Sequence, residues 1–118
     1  MNDRWRKVFA MPYGEIHQNY VTKVERKGRT VAELEEVIEW LTGYDHDALS
    51  SLLAEGRTME DFFAKAPAYN PAAELITGSI CGCKVQEITD PQVRMARQLD
   101  KIVDELAKGK AMEKVKRS

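Results

Sequence analysis

Cysteine is scarce in this chain. Its 118 residues include two, Cys81 and Cys83, both inside the phrase ELITGSICGCKVQEITDP at 74–91. Two cysteines cannot build the disulfide framework of a small secreted domain. Spaced i, i+2, they could bridge each other only through a small, strained ring. Long apolar runs are missing too. No stretch approaches the roughly 18 apolar residues of a membrane helix. The first twenty residues, MNDRWRKVFAMPYGEIHQNY, lack the apolar segment of a secretory leader. The expected location is therefore a reducing cytoplasm, with no membrane partner. Nucleotide-binding glycine signatures are also absent. ITGSICG contains Gly78 and Gly82, but neither G-x-G-x-x-G nor G-K-[ST] follows.

What is present is a globular composition, 43% apolar and 31% charged, of a length expected to make one domain over 1–118. The net charge of −1 hides an uneven distribution. Residues 1–29 carry seven basic and three acidic groups, residues 30–63 one and nine, and residues 64–118 ten and seven. An acidic middle is flanked by basic ends. Such a pattern fits solvated helix faces, or a polar molecule whose ends meet an acidic partner or a second copy.

Stop-and-start residues divide the chain. KGRT at 27–30, TGYD at 42–45 and EGRT at 55–58 each set a glycine two residues before Thr or Asp. Gly28, Gly43 and Gly56 suit the left-handed position that ends a helix. Thr30, Asp45 and Thr58 suit the N-cap of the next, with Glu33 completing a capping box. Between these marks the apolar spacing predicts helices over 13–27, 31–42, 46–55 and 59–66. Asn70–Pro71 and Asp90–Pro91 open two more, stopped at Gly78 and Gly109. The last helix is the strongest, with a stripe of Val93, Ala96, Leu99, Val103 and Leu106 and an Asp104–Lys108 pair at i, i+4. The fold class is thus mainly α, a compact bundle of about six short helices. RKVFAM and GCKVQEI resist helix, and a small two-stranded β ribbon could join them. A basic C-terminal tail, about 109–118, reads as a frayed, solvated end.

Few residues suggest chemistry. Structural zinc asks for four ligands, usually from two C-x-x-C pairs or such a pair with histidines. Here a single C-x-C stands with His17 and His46, both remote in sequence. No metal and no cofactor is expected. A redox pair is normally C-x-x-C at a helix N-terminus, where the dipole lowers the thiol pKa. Cys81 and Cys83 follow a helix stop instead. They are expected as small buried hydrophobes on one strand face. His17 is expected at the edge of the first helix and His46 on the surface between Asp45 and Asp47. Neither gives a Cys–His catalytic signature, so no catalytic residue is assigned.

Nucleic-acid binding would rest on KVERKGR at 23–29 and the basic tail. The tail has no interleaved aromatic for stacking bases, and the helix after KGRT is acidic, so this class is disfavoured. A small-molecule pocket, if one exists, belongs between APAYNP, the ICG turn and the last helix. There Tyr69, Asn70, Cys81, Arg94 and Arg97 supply a phenol, an amide, a thiol and two guanidinium groups.

KVERKGRT, EWLTGYD, FFAKAPAYNP, LITGSICG and LDKIVDELAKGKAMEK together resemble the bacterial family known as domain of unknown function 2200. The resemblance runs from about residue 8 to the tail. It implies a small, stand-alone, predominantly helical bacterial protein and carries over no substrate or catalytic residue. It also implies that Cys83 replaces a usually apolar residue, which makes C-x-C this chain's own variation. The functional expectation is a helical binding or protein-interaction module without catalysis, its partner unknown and a homodimer through the last helix's stripe open. The alternative is a small-molecule binder or enzyme using residues 69–97 with Cys81.

Overall fold

The computed structural model describes residues 1–117. Among them are seven α-helices: α1 (Asp3–Ala10), α2 (Tyr13–Arg26), α3 (Val31–Thr42), α4 (His46–Ala54), α5 (Met59–Ala64), α6 (Pro91–Ala107) and α7 (Met112–Val115). Short 3-10 turns cover Pro71–Leu75 and Val85–Glu87, and a hairpin pairs β1 (Ser79–Ile80) with β2 (Cys83–Lys84). α6 is the central post, packing on α2, α3, α7, β1 and the turn at Val85–Glu87. Its Leu99, Ile102, Val103 and Leu106 are fully buried, so the stripe lies inside the chain and offers no seam to a second copy. Of the two uses open for that stripe, packing within the chain is the one the fold makes.

The caps behave as their chemistry requires. Thr30, Asp45 and Thr58 each accept the backbone N–H three residues on, and Glu33 reaches back to the Thr30 N–H. Asp90 accepts from the N–H groups of Gln92 and Val93, and Asn70 from that of Ala72. Tyr13 N–H donates to the Arg57 carbonyl and Met59 N–H to that of Met11, each at 2.8 Å. These bonds clasp the α1–α2 junction to the α4–α5 junction.

Four expectations need correction. RKVFAM is helical, because Asn2 caps α1 by accepting from Trp5 N–H and the helix buries Phe9 on its inner face. The ribbon exists but pairs Ser79 with Lys84 and Ile80 with Cys83, a local hairpin that needs no distant strand. The segment opened by Asn70–Pro71 makes only a 3-10 turn and ends well before Gly78. The basic tail is docked: Val115 is buried, Lys116 meets Glu36 at 2.8 Å and Arg117 meets Glu105 at 2.7 Å. Its last residue, Ser118, lies outside the described residues.

Candidate functional site

The five residues proposed from sequence do not converge. Tyr69 and Arg94 share a cleft of about 270 Å³ with Glu74 and Gln98. The loop before the 3-10 turn carries Tyr69 over α6, where its hydroxyl donates to Gln98 Oε1 at 2.5 Å. Gln98 Nε2 in turn donates to the Ala73 carbonyl at 3.2 Å. Burial pushes the Tyr69 phenol well above its ordinary range, and Glu74 adds to the shift. Arg94 holds Glu74 at 2.8 Å. Asn70 is engaged elsewhere, donating from Nδ2 to the Trp40 carbonyl and capping the 3-10 turn.

Arg97 lines a second cleft, of about 210 Å³, on the other side of α6. Its guanidinium sits 4.7 Å from the centre of the Trp5 ring and bonds Asp100 at 2.9 Å. Tyr20 donates to the other Asp100 oxygen at 2.5 Å. Burial, then the Asp100 charge, raises the Tyr20 pKa. Trp5, Tyr20 and Asp100 escaped the sequence reading. Trp5 sits on a helix that the pattern did not show. Tyr20 lies within the predicted helix 13–27, and no local signal links it to a partner 80 residues away.

Both cysteines are exposed, which corrects the expectation of buried sulfurs. The strand is two residues long and exposed at both, so of the alternating Cys81, Cys83 and Val85 only Val85 reaches the core. Cys81 therefore takes no part in the Tyr69 cleft.

His17 is buried in α2 rather than at an edge, its Nδ1 3.1 Å from the Tyr13 hydroxyl. Burial lowers its pKa, against a weaker opposing pull from Glu35. His46 is exposed as expected; its hydrogen bond with Glu35 raises its pKa. The two oppose each other in pH dependence. A histidine lowered on folding gives stability that is complete above the unfolded value of 6.5 and lost as pH falls through the native one. The raised His46 gives stability that is present below that value and lost as pH rises through its own. Urea unfolding between pH 7.5 and 5 should show His17→Gln removing part of the acid destabilisation. An unchanged slope would mean that His17 is not buried neutral.

The two basic segments weighed, and disfavoured, as a nucleic-acid surface do meet, since Arg29 donates to the Lys110 carbonyl at 3.1 Å. Most of their charges are neutralised within the chain. Lys23 and Lys108 share Asp104, Lys110 and Arg117 share Glu105, and Arg29 pairs with Glu33. Burial works to raise the Glu105 pKa, but Arg117 and Lys110 together outweigh it and hold the carboxyl below its ordinary range.

A family model described as an uncharacterized protein conserved in bacteria, DUF2200, matches residues 7–117. The chain belongs to that family. No curated protein matches it. A crystal structure of the uncharacterized protein SP1917 is similar at 41% identity, covering 93% of this chain and 90% of that one, with a TM-score of 0.88. The DUF2200 fold is thus shared with a solved structure over nearly its whole length. Among the described residues no helix is long and apolar enough to cross a membrane, and no three His, Cys, Asp or Glu side chains group as metal ligands.

Proposed function

We propose that this DUF2200 protein is a single-domain, cytoplasmic binding module that acts through surface contact with a macromolecular partner and does no chemistry in its clefts. The observation that carries this reading is the state of the two clefts beside α6. At about 210 and 270 Å³ they fall below the roughly 300–1,000 Å³ usual for small-molecule sites. Their polar groups are already paired with one another, as Tyr69–Gln98, Arg94–Glu74 and Tyr20–Asp100–Arg97. Among their buried polar atoms, those left over are the Nε–H of Arg94 and of Arg97, both closed off from solvent. A ligand reaching the buried groups would have to break internal bonds to gain its own, which leaves it the exposed rim, Arg4 on one cleft and Thr89 on the other. Two cysteines, too few for the disulfide framework of a secreted domain, favour a reducing cytoplasm.

The contact surface is polar. Among the described residues, the large apolar side chains left exposed are Met1, Met11 and Leu75. That favours a transient partner over an obligate, apolar dimer interface. Light scattering of the concentrated protein is expected to give the 13.4 kDa of one chain. A thermal-shift panel of anionic metabolites is expected to move the midpoint by less than about 1 °C. Saturable stabilisation by one of them, lost in Arg94→Gln, would replace this reading with the small-molecule alternative. A stable dimer would remove the transient partner.

A further inference from the structure

The hairpin tip holds chemistry that neither cleft uses. Its base is fixed: Ile76 and Val85 are fully buried, Val85 N–H donates to the Gly78 carbonyl at 3.0 Å, and Lys101 of α6 donates to that of Ser79 at 3.2 Å. Beyond this base the chain turns through Cys81 and Gly82, with φ of 50° and 77°. Two successive positive φ values between paired residues make the tight hairpin turn that usually takes Asn-Gly. Cys81 is the one non-glycine among the described residues in that region, where a Cβ is resisted. A residue kept against its backbone preference calls for a functional reading. Both cysteines are exposed, and Cys83 Sγ lies 3.8 Å from the Cys81 carbonyl oxygen. Among the described residues no third ligand joins them to complete a metal group.

We propose that Cys81 and Cys83 are a reversible oxidation site, closing an intramolecular disulfide by exchange with a low-molecular-weight disulfide. One cysteine gives up its proton and attacks a sulfur of the oxidant. A mixed disulfide forms, and one small thiolate leaves and takes up a proton. The second cysteine, deprotonated in turn, attacks the protein-side sulfur, closes the ring and releases the second small thiol. The chain loses two hydrogens with their electrons, and the oxidant becomes two thiols. The ring spans only Cys81, Gly82 and Cys83, so it is strained and reopens readily with thiol. Because the base is anchored, oxidation reshapes an exposed tip and leaves the core in place. The site is independent of the clefts and survives if the partner reading fails.

The test is intact-mass analysis of the reduced protein after incubation with oxidised glutathione and alkylation of remaining thiols. The wild type is expected to lose both free thiols and about 2 Da as a monomer, and to regain both with dithiothreitol. Cys81→Ser and Cys83→Ser, each folded by circular dichroism because the tip is exposed, are expected to stop at a mixed disulfide about 305 Da heavier. Wild type that keeps its thiols, retains glutathione or links into dimers overturns the proposal. So does a thiol-bound metal ion in the purified protein.

Discussion

Phe62→Ala is expected to lower stability by about 3–5 kcal/mol, read as a drop in urea midpoint at constant m-value. Phe62 is fully buried and lies flat on Tyr13, with ring centres 3.8 Å apart and planes 7° from parallel. Phe63 meets it edge-on at 5.0 Å and Tyr44 lies tilted at 5.4 Å. The ring thus ties α5 to α2 and to the turn after α3. Tyr44 also donates to the Phe62 carbonyl at 2.7 Å, and burial pushes its pKa up to about 12. That bond uses the backbone, so alanine keeps it and the loss reports the ring alone. A domain of this length should melt roughly 10–20 °C lower. A loss below about 1 kcal/mol would place the ring outside the core.

Gly43→Ala should cost about 3 kcal/mol or more, while Gly56→Ala should cost only about 1–2 kcal/mol. Both glycines have left-handed backbones, with φ of 82° and 67°. They differ in surroundings. A Cβ on Gly43 would stand 2.7 Å from the Ala68 backbone nitrogen and 2.9 Å from its Cβ, whereas one on Gly56 meets nothing within 4 Å. Nor can the chain at Ala68 retreat freely. Ala68 N–H donates to the Thr42 carbonyl at 3.0 Å and Asn70 N–H to that of Leu41 at 2.8 Å, covering the carbonyl end of α3. Moving Ala68 uncovers those acceptors, and burial without a partner is costly. Chemical unfolding of the two variants side by side measures the difference. Equal losses would mean that the close approach carries no weight.

These two sites show what a sequence discloses. That Gly43 ends a helix follows from local chemistry, and so do the N-caps at Thr30, Asp45, Thr58, Asn70 and Asp90. That Ala68 presses on Gly43 is a meeting of segments distant in the chain, which no local pattern encodes. Apolar spacing with such punctuation was enough to find α2, α3, α4, α5 and α6. α1 was missed because its cap, Asn2, stands at the chain's very start, and α7 because four residues form no period. The site was less legible. Tyr69 and Arg94 meet as expected, but Arg97 points to the other side of α6, where it finds Trp5 and Asp100. Three residues apart, the two arginines stand only roughly 60° from each other around the helix. It is their long side chains and different partners, Glu74 for one and Asp100 for the other, that send them to different clefts. The cysteines misled for another reason. Alternation in a strand shows which residues share a face, not whether anything covers it.

α6 is a buried post, and the thiol-bearing turn of the hairpin beside it is exposed. Native-state hydrogen exchange tests this most directly. The amides of Leu99, Ile102, Val103 and Leu106 should exchange only through global unfolding, while those of residues 79–84 exchange through local opening. Protection at Cys81 and Cys83 equal to that of Leu99 and Val103 in α6 would contradict it.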